Sequence, residues 1–379
     1  MTKILDFIAK ETDGKNFKSY KYCFESVDIP KLIYDDKKGI QVKKKGETDK
    51  SLQNYKSVEK LAKKVSGKPL FRYFLDGSRR TYKVDDIAYG KRLYPIIAGQ
   101  IGVAVCERVN QHSFKPVRLE NPLVISIPEN ANAETSIGNQ DLFFNNLKNK
   151  LNKQTILKNH HIEINKISPY NNTALKDNDK YEDRGVVKIQ EEMMGLEQKI
   201  VFSLVKAKKL NDESFLIKDG SLEYMKSGEA RELSQIKSNY DCVVGVSKSF
   251  NPEALSNDVK DISRKIAELP NYCRTPAFMY QTLIIPNVKF AVWYLRIRKT
   301  LSPFDGVLKI EKILVRDIQE EDGLDSDEID LISANIINER NPVCYGHDTR
   351  WAKHIYPIYL TENYIKSKYL SDIHFINLF

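Results

Sequence analysis

"FLIKDGSL", residues 215–222, is an apolar run that ends in an acid, a glycine and a serine. The chain makes the same move earlier, in "FLDGS", residues 74–78. One Asp-Gly-Ser is a turn, because glycine frees the backbone and short polar side chains bond back to it. Two of them at the ends of hydrophobic strands permit a second reading, in which Asp76 and Asp219 form a pair of metal ligands. The second tripeptide also decides the topology. It ends a strand, a helical stretch follows around "EYMKSGEARELSQIKSN", and a strand, "DCVVGVSKS" (241–249), comes next. A strand–helix–strand unit needs a crossover, so its strands pair in parallel.

Upstream, "PLFRYFLDGS" (69–78), residues 96–106 and "KPVRLENPLVISIPEN" (115–130) read as strands of an antiparallel meander. "NNLKNKLNKQTILKNHHIEINK" (145–166) reads as helical and "SPYNNTALKDNDKYEDRG" (168–185) as an exposed loop. The longest helical pattern is "VVKIQEEMMGLEQKIVFSLVKAKK" (186–209). Downstream come a helix in 253–269, strands at 289–300 and 306–317 about the turn "LSPFDG", a helix at 326–341 and a helical tail from 356. Residues 1–68 read as a lysine-rich N-terminal extension, with a hairpin or basic loop at 31–50 and a helix after it. The rest, 69–379, reads as one domain with an insertion at about 107–185. The order of elements resembles an α/β ribonuclease-H-like mixed sheet flanked by helices.

Lys plus Arg number 60 against 51 Asp plus Glu, a net charge of +9. That favours a polyanionic partner, although lysine-rich composition alone produces the same excess. The five cysteines are scattered and lack a C-x-x-C pair, which argues against a zinc site or disulfide framework. The N-terminus is too polar for a signal peptide, and no window approaches 18 uninterrupted apolar residues. The expectation is a soluble cytoplasmic protein without a membrane partner.

Two carboxylates held side by side raise each other's pKa, and a hard divalent cation relieves them. The long helix offers a third in Glu191, Glu192 or Glu197. Glu197 stands among Met193, Met194 and Val201 at three- and four-residue spacings, embedded in the face that meets the sheet. An unpaired acid there is costly. Such a set suits two Mn²⁺ or Mg²⁺ ions and phosphodiester hydrolysis. Arg79, Arg80, Lys248, Arg296 and Arg298 are the bases available for phosphate, the last two reading by default as the solvated face of a strand. His160 and His161 read as surface, and Trp293 and Tyr294 as core or interface.

"FLDGSRR", "MMGLEQKIVFSLVKA", "FLIKDGSL", "VVGVSKSF", "WYLRI" and "YPIYLTENY" resemble, in that order, the blocks of the NurA nuclease family across about residues 70–365. The resemblance implies a manganese- or magnesium-dependent DNA nuclease with a ribonuclease-H-like core. It implies a homodimer working with a HerA-type hexameric ATPase in end processing or anti-phage defence. It places metal ligands at Asp76, Glu197 and Asp219, a catalytic, phosphate-binding basic residue at Lys248 and, at Tyr356, a tyrosine that positions the substrate or a water. The family's histidine two helical turns after that tyrosine is replaced here by Tyr364, with Asn363 beside it. Alternatives are a non-catalytic DNA-binding or scaffold subunit and an Argonaute-like guide-dependent nuclease.

Overall fold

The computed structural model describes residues 4–17, 21–24, 40–132, 140–175, 179–223, 237–252, 261–282, 288–300, 303–340 and 353–379. In chain order the strands are β1 (Lys15–Phe17), β2 (Tyr22–Cys23), β3 (Ile40–Lys45), β4 (Lys56–Ser57), β5 (Phe71–Tyr89), β6 (Arg92–Asn110), β7 (Ser113–Glu120), β8 (Leu123–Pro128), β9 (Ile164–Tyr170), β10 (Phe215–Asp219), β11 (Val243–Ser247), β12 (Cys273–Arg274), β13 (Phe278–Thr282), β14 (Lys289–Arg296) and β15 (Val307–Ile313). The helices are α1 (Ile4–Glu11), α2 (Glu59–Val65), α3 (Gln140–Leu151), α4 (Thr155–Asn159), α5 (Tyr181–Lys206), α6 (Ile262–Ala267), α7 (Asp317–Asp322), α8 (Ser326–Glu339), α9 (Tyr356–Lys366) and α10 (Asp372–Asn377).

All the strands join one mixed sheet, whose main path runs β3-β13-β14-β15-β11-β10-β5-β6-β8-β9. As the crossover demands, β10 is parallel to β11, and on its other side it is also parallel to β5. β6 is antiparallel to β5 and β8, and the β13–β14–β15 meander extends the sheet beyond β11. Helices cover both faces. On one, Ile189, Met193, Leu196, Ile200 and Val201 of α5 pack on Tyr73, Leu75, Ile101 and Leu216. On the other, α8 and α9 pack on Phe74, Ile217, Val244 and Trp293. Successive strand residues alternate between faces. Tyr73, Leu75 and Gly77 therefore point to α5, and Phe74, Asp76 and Ser78 to α9.

Several expectations change. The first Asp-Gly-Ser does not end its strand. Asp76 is the sixth of nineteen residues in β5, which continues with β6 as a long hairpin turning at Gly90, φ +61°. The N-terminal segment is woven into the domain. Ile4, Leu5 and Ile8 are buried with Tyr82, Ile96 and Ile125. β1 and β2 pair with β5, and β3 pairs with β13 rather than forming a local hairpin. Within the expected insertion, β7, β8 and β9 all belong to the sheet. β9 lies where a helix and a loop were expected, because its parallel pairing with β8 overrides weak local preference. The helix expected around 223–239 lies largely outside the described residues, as do 31–39 of the expected hairpin and 253–260 of the next helix. No helix, among the described residues, is long and apolar enough to cross a membrane.

Candidate active site

The parallel register of β10 on β5 aligns Ile217 with Phe74 and Lys218 with Leu75. One step further along both strands, Asp219 comes level with Asp76, on strands about 4.8 Å apart. β10 stops there. Gly220 takes φ +84°, and its N–H closes on the Val246 carbonyl at 2.8 Å. Ser221 does not orient the Asp219 carboxylate. Its hydroxyl donates to Glu311 Oε2 at 2.9 Å and accepts from the Glu223 N–H at 3.1 Å. Glu311 is fully buried and also receives the Leu222 N–H at 2.8 Å, the Tyr280 hydroxyl at 2.9 Å and Lys309 Nζ at 2.7 Å. Burial alone would raise its pKa, but Lys309 and these donors outweigh burial and keep it low. Glu311 thus anchors the turn that presents Asp219.

Glu197 enters from the opposite face. It is 2% exposed, within the buried stripe of α5. Glu191 and Glu192 instead pair with Lys188 and Lys166 on the outer side of that helix. A Cβ built on Gly77 would lie 2.3 Å from Glu197 Oε1. The glycine after Asp76 therefore makes room for this carboxylate rather than turning the chain. Lys218 Nζ lies 3.2 Å from Glu197 Oε2 and donates to the Asp219 carbonyl at 2.9 Å. Lys248, just past β11 and buried, holds Asp219 Oδ2 at 3.0 Å, and its own carbonyl accepts from Lys353 Nζ at 2.9 Å.

Asp76 is 4% exposed. Burial raises its pKa well above the usual carboxylate range, Asp219, Glu362 and Glu197 add to the effect, and Lys248 opposes it. Burial, with a contribution from Asp219, also raises Glu197 despite the opposing Lys218. Burial would depress Lys218, but Glu197, Asp219 and Asp76 outweigh it and hold its ammonium above the ordinary lysine range. The neighbourhood is thus a low-dielectric pocket with acids on four elements and ammonium groups between them. Glu362, on α9, is the acid that sequence reasoning missed. Its signal was available: with Ile358 and Ile365 it sits at the four- and three-residue spacings of the buried stripe of α9.

The remaining expected residues divide. Arg79, on the α5 face, bonds Gln190 Oε1 at 2.5 Å and Thr81 Oγ1 at 3.2 Å. Arg80, on the Asp76 face, pairs with Asp372 at 2.9 Å and lies 5.3 Å from the Tyr369 ring centre. Arg296 is neither solvated nor at the site. It is buried and donates to the carbonyls of Leu269, Ala267, Pro303 and Asp305, clamping the end of α6 to the loop between β14 and β15. Arg298 is half-buried in the bend after β14. Tyr356 begins α9, six residues or about 9 Å along the axis from Glu362. Its ring packs edge-on to Phe114 beside a cavity of about 400 Å³ that also holds Arg108 and Glu339.

The acids are all oxygen donors, which suits Mg²⁺ or Mn²⁺. Among the described residues, no three His, Cys, Asp or Glu side chains already stand at ion-ligating spacing. Lys218, Lys248 and Lys366 hold Glu197, Asp219 and Glu362 respectively. A cation would take over the charge those ammonium groups now balance. In comparisons with known proteins, no family model matches the chain and no curated protein matches it.

Proposed function

We propose that the chain is a metal-dependent deoxyribonuclease, similar to NurA, hydrolysing phosphodiester bonds as an exonuclease, an endonuclease or both. The observation that carries this reading is Asp76, a buried acid level with Asp219 on the adjacent parallel strand, with the buried Glu197 set against Gly77, the next residue, on the α5 face and adding to the negative field at Asp76. The strand order β8-β6-β5-β10-β11, with β6 running against its neighbours, supports a ribonuclease-H-like core. Asp76, Asp219 and Glu197 would hold Mn²⁺ or Mg²⁺. When bound, two such ions supply an activated water and a counter-charge for the departing 3′ oxygen. Lys248 neutralises Asp219 in the free protein and presents an ammonium to substrate phosphate. Arg80 lies further along the Asp76 face, where the duplex or strand would run. A cytoplasmic homodimer acting on DNA with a HerA-type motor, in end processing or anti-phage defence, is the setting this reading implies.

The ammonium partners of Glu197 and Asp219 favour a second reading, a non-catalytic DNA-binding subunit whose old metal site is closed by lysine. Calorimetric titration with Mn²⁺, together with cleavage of labelled DNA, separates the two. A nuclease takes up Mn²⁺ specifically, and Asp76→Asn and Asp219→Asn each lower cleavage by about a thousandfold or more while the fold persists. Undiminished cleavage by either variant would remove the metal reading, and an inert protein that takes up no Mn²⁺ would establish the scaffold.

A further inference from the structure

We propose that Glu362 is the fourth carboxylate of this site and the ligand that α9 contributes to a bound Mg²⁺ or Mn²⁺, an inference that rests on the nuclease reading. Its place is bracketed by two contacts. Thr361 Oγ1 lies 3.5 Å from the Phe74 carbonyl. One turn on, Ile365 lies so close to Gly102 that a Cβ there would come 2.2 Å from its Cγ2. Gly102 is paired across the hairpin with Ser78. Asp76 is midway between Phe74 and Ser78 on the same face of β5, so it sits between the two points where α9 touches the sheet. Glu362 is the acid between Thr361 and Ile365, and its side chain is 18% exposed.

A second observation points to a ligand. Asp76 is 96% buried, yet among the described residues no hydrogen bond or ion pair reaches its carboxylate. The two acids that act on it most strongly are Asp219 and Glu362. A buried acid facing two others is unfavourable, and a divalent cation among them reverses the sign of that interaction. Glu362 is now held by Lys366 Nζ at 2.6 Å. Lys366 is half exposed, so its ammonium can swing into water without a desolvation cost when a cation takes its place. With Asp76, Asp219 and Glu197, a carboxylate at Glu362 completes an all-oxygen donor set. That set selects Mg²⁺ and Mn²⁺ and disfavours ions that seek nitrogen ligands.

The test compares wild type, Glu362→Gln and Glu362→His, with Glu192→Gln as a surface control. Binding of Mn²⁺ alone is read by calorimetry, and DNA cleavage is read in Mg²⁺, Mn²⁺ and Zn²⁺. E362Q is expected to keep its circular dichroism and lose at least about tenfold in Mn²⁺ affinity. Its cleavage should fall at least about a hundredfold. E362H should recover cleavage in Mn²⁺ or Zn²⁺ but not in Mg²⁺, a change that a merely structural residue would not produce. If E362Q fails to fold, Glu362→Asp is judged by the same readouts. Wild-type binding and cleavage by E362Q, while D76N and D219N lose both, would overturn the role of Glu362 and leave the nuclease reading standing. A wild-type protein with no Mn²⁺ uptake and no cleavage would overturn that reading, and this inference with it.

Discussion

The two Asp-Gly-Ser tripeptides are identical in sequence and opposite in structure. Around Asp219, the glycine does what a turn asks of it: Gly220 adopts φ +84°, and a Cβ there would meet nothing nearer than Lys218 Nζ at 3.7 Å. Around Asp76, the chain runs straight through as β5, and the glycine matters because Glu197 fills the space where a Cβ would stand. One glycine is selected by torsion and the other by volume. The serines differ as well. Ser221 bonds Glu311 and the Glu223 N–H, whereas Ser78 continues a strand ladder opposite Gly102. A short motif therefore specifies which atoms are present, and the neighbouring element decides which of its properties is used.

Substitution at the two glycines breaks this comparison most directly. Gly77→Ala should cost about 1–3 kcal/mol, because Glu197 is buried and held by Lys218, so it cannot step aside freely. Shortening the acid relieves the clash: in a Glu197→Asp background the Gly77→Ala penalty should shrink, measured as a coupling in urea unfolding. Equal penalties in both backgrounds would show that volume at Glu197 is not what Gly77 serves.

Gly220→Ala should cost about 1–2 kcal/mol, the price of a positive φ, with no dependence on the residue at 197. If its penalty tracked Glu197, the torsional account of this turn would fail.

The acids themselves sharpen the comparison through pH. Asp76 has a raised folded pKa, so its protonated form is favoured in the native state. Its stabilising contribution is fully present below the unfolded value of about 3.9 and is lost as pH rises through the folded pKa. The metal-free protein should therefore weaken as pH climbs from the acid side through that raised pKa, and Asp76→Asn should flatten that part of the stability profile. Mn²⁺ binding should strengthen over the same window and release protons, detectable as a buffer-dependent heat. A stability profile unchanged by D76N would mean that Asp76 carries no such charge cost.

Much of this was legible. The apolar stripe of α5 was readable from its spacing, and so was the acid embedded in it, because Met193, Leu196, Ile200, Val201 and Leu204 mark the face that Glu197 shares. The parallel pairing of β10 with β11 followed from the crossover alone. Arg296 was misread because alternation on a strand implies a solvated face only when one face is free. β14 is buried along nearly its whole length, and its arginine satisfies itself on backbone carbonyls. β9 and the N-terminal strands were misread because edge pairing with distant partners, rather than local preference, makes them strands.

By itself the sequence determined an α/β chain with a long amphipathic helix, a parallel crossover and three well-spaced acids, because these follow from periodicity and residue type over short distances. Only the tertiary structure decided that Asp76 lies inside a strand, that Gly77 yields its space to Glu197, and that Glu362 comes to the same pocket. Those facts depend on register and on which face each element presents. A shift of one residue along a strand reverses the face, and no local pattern records which partner will be there.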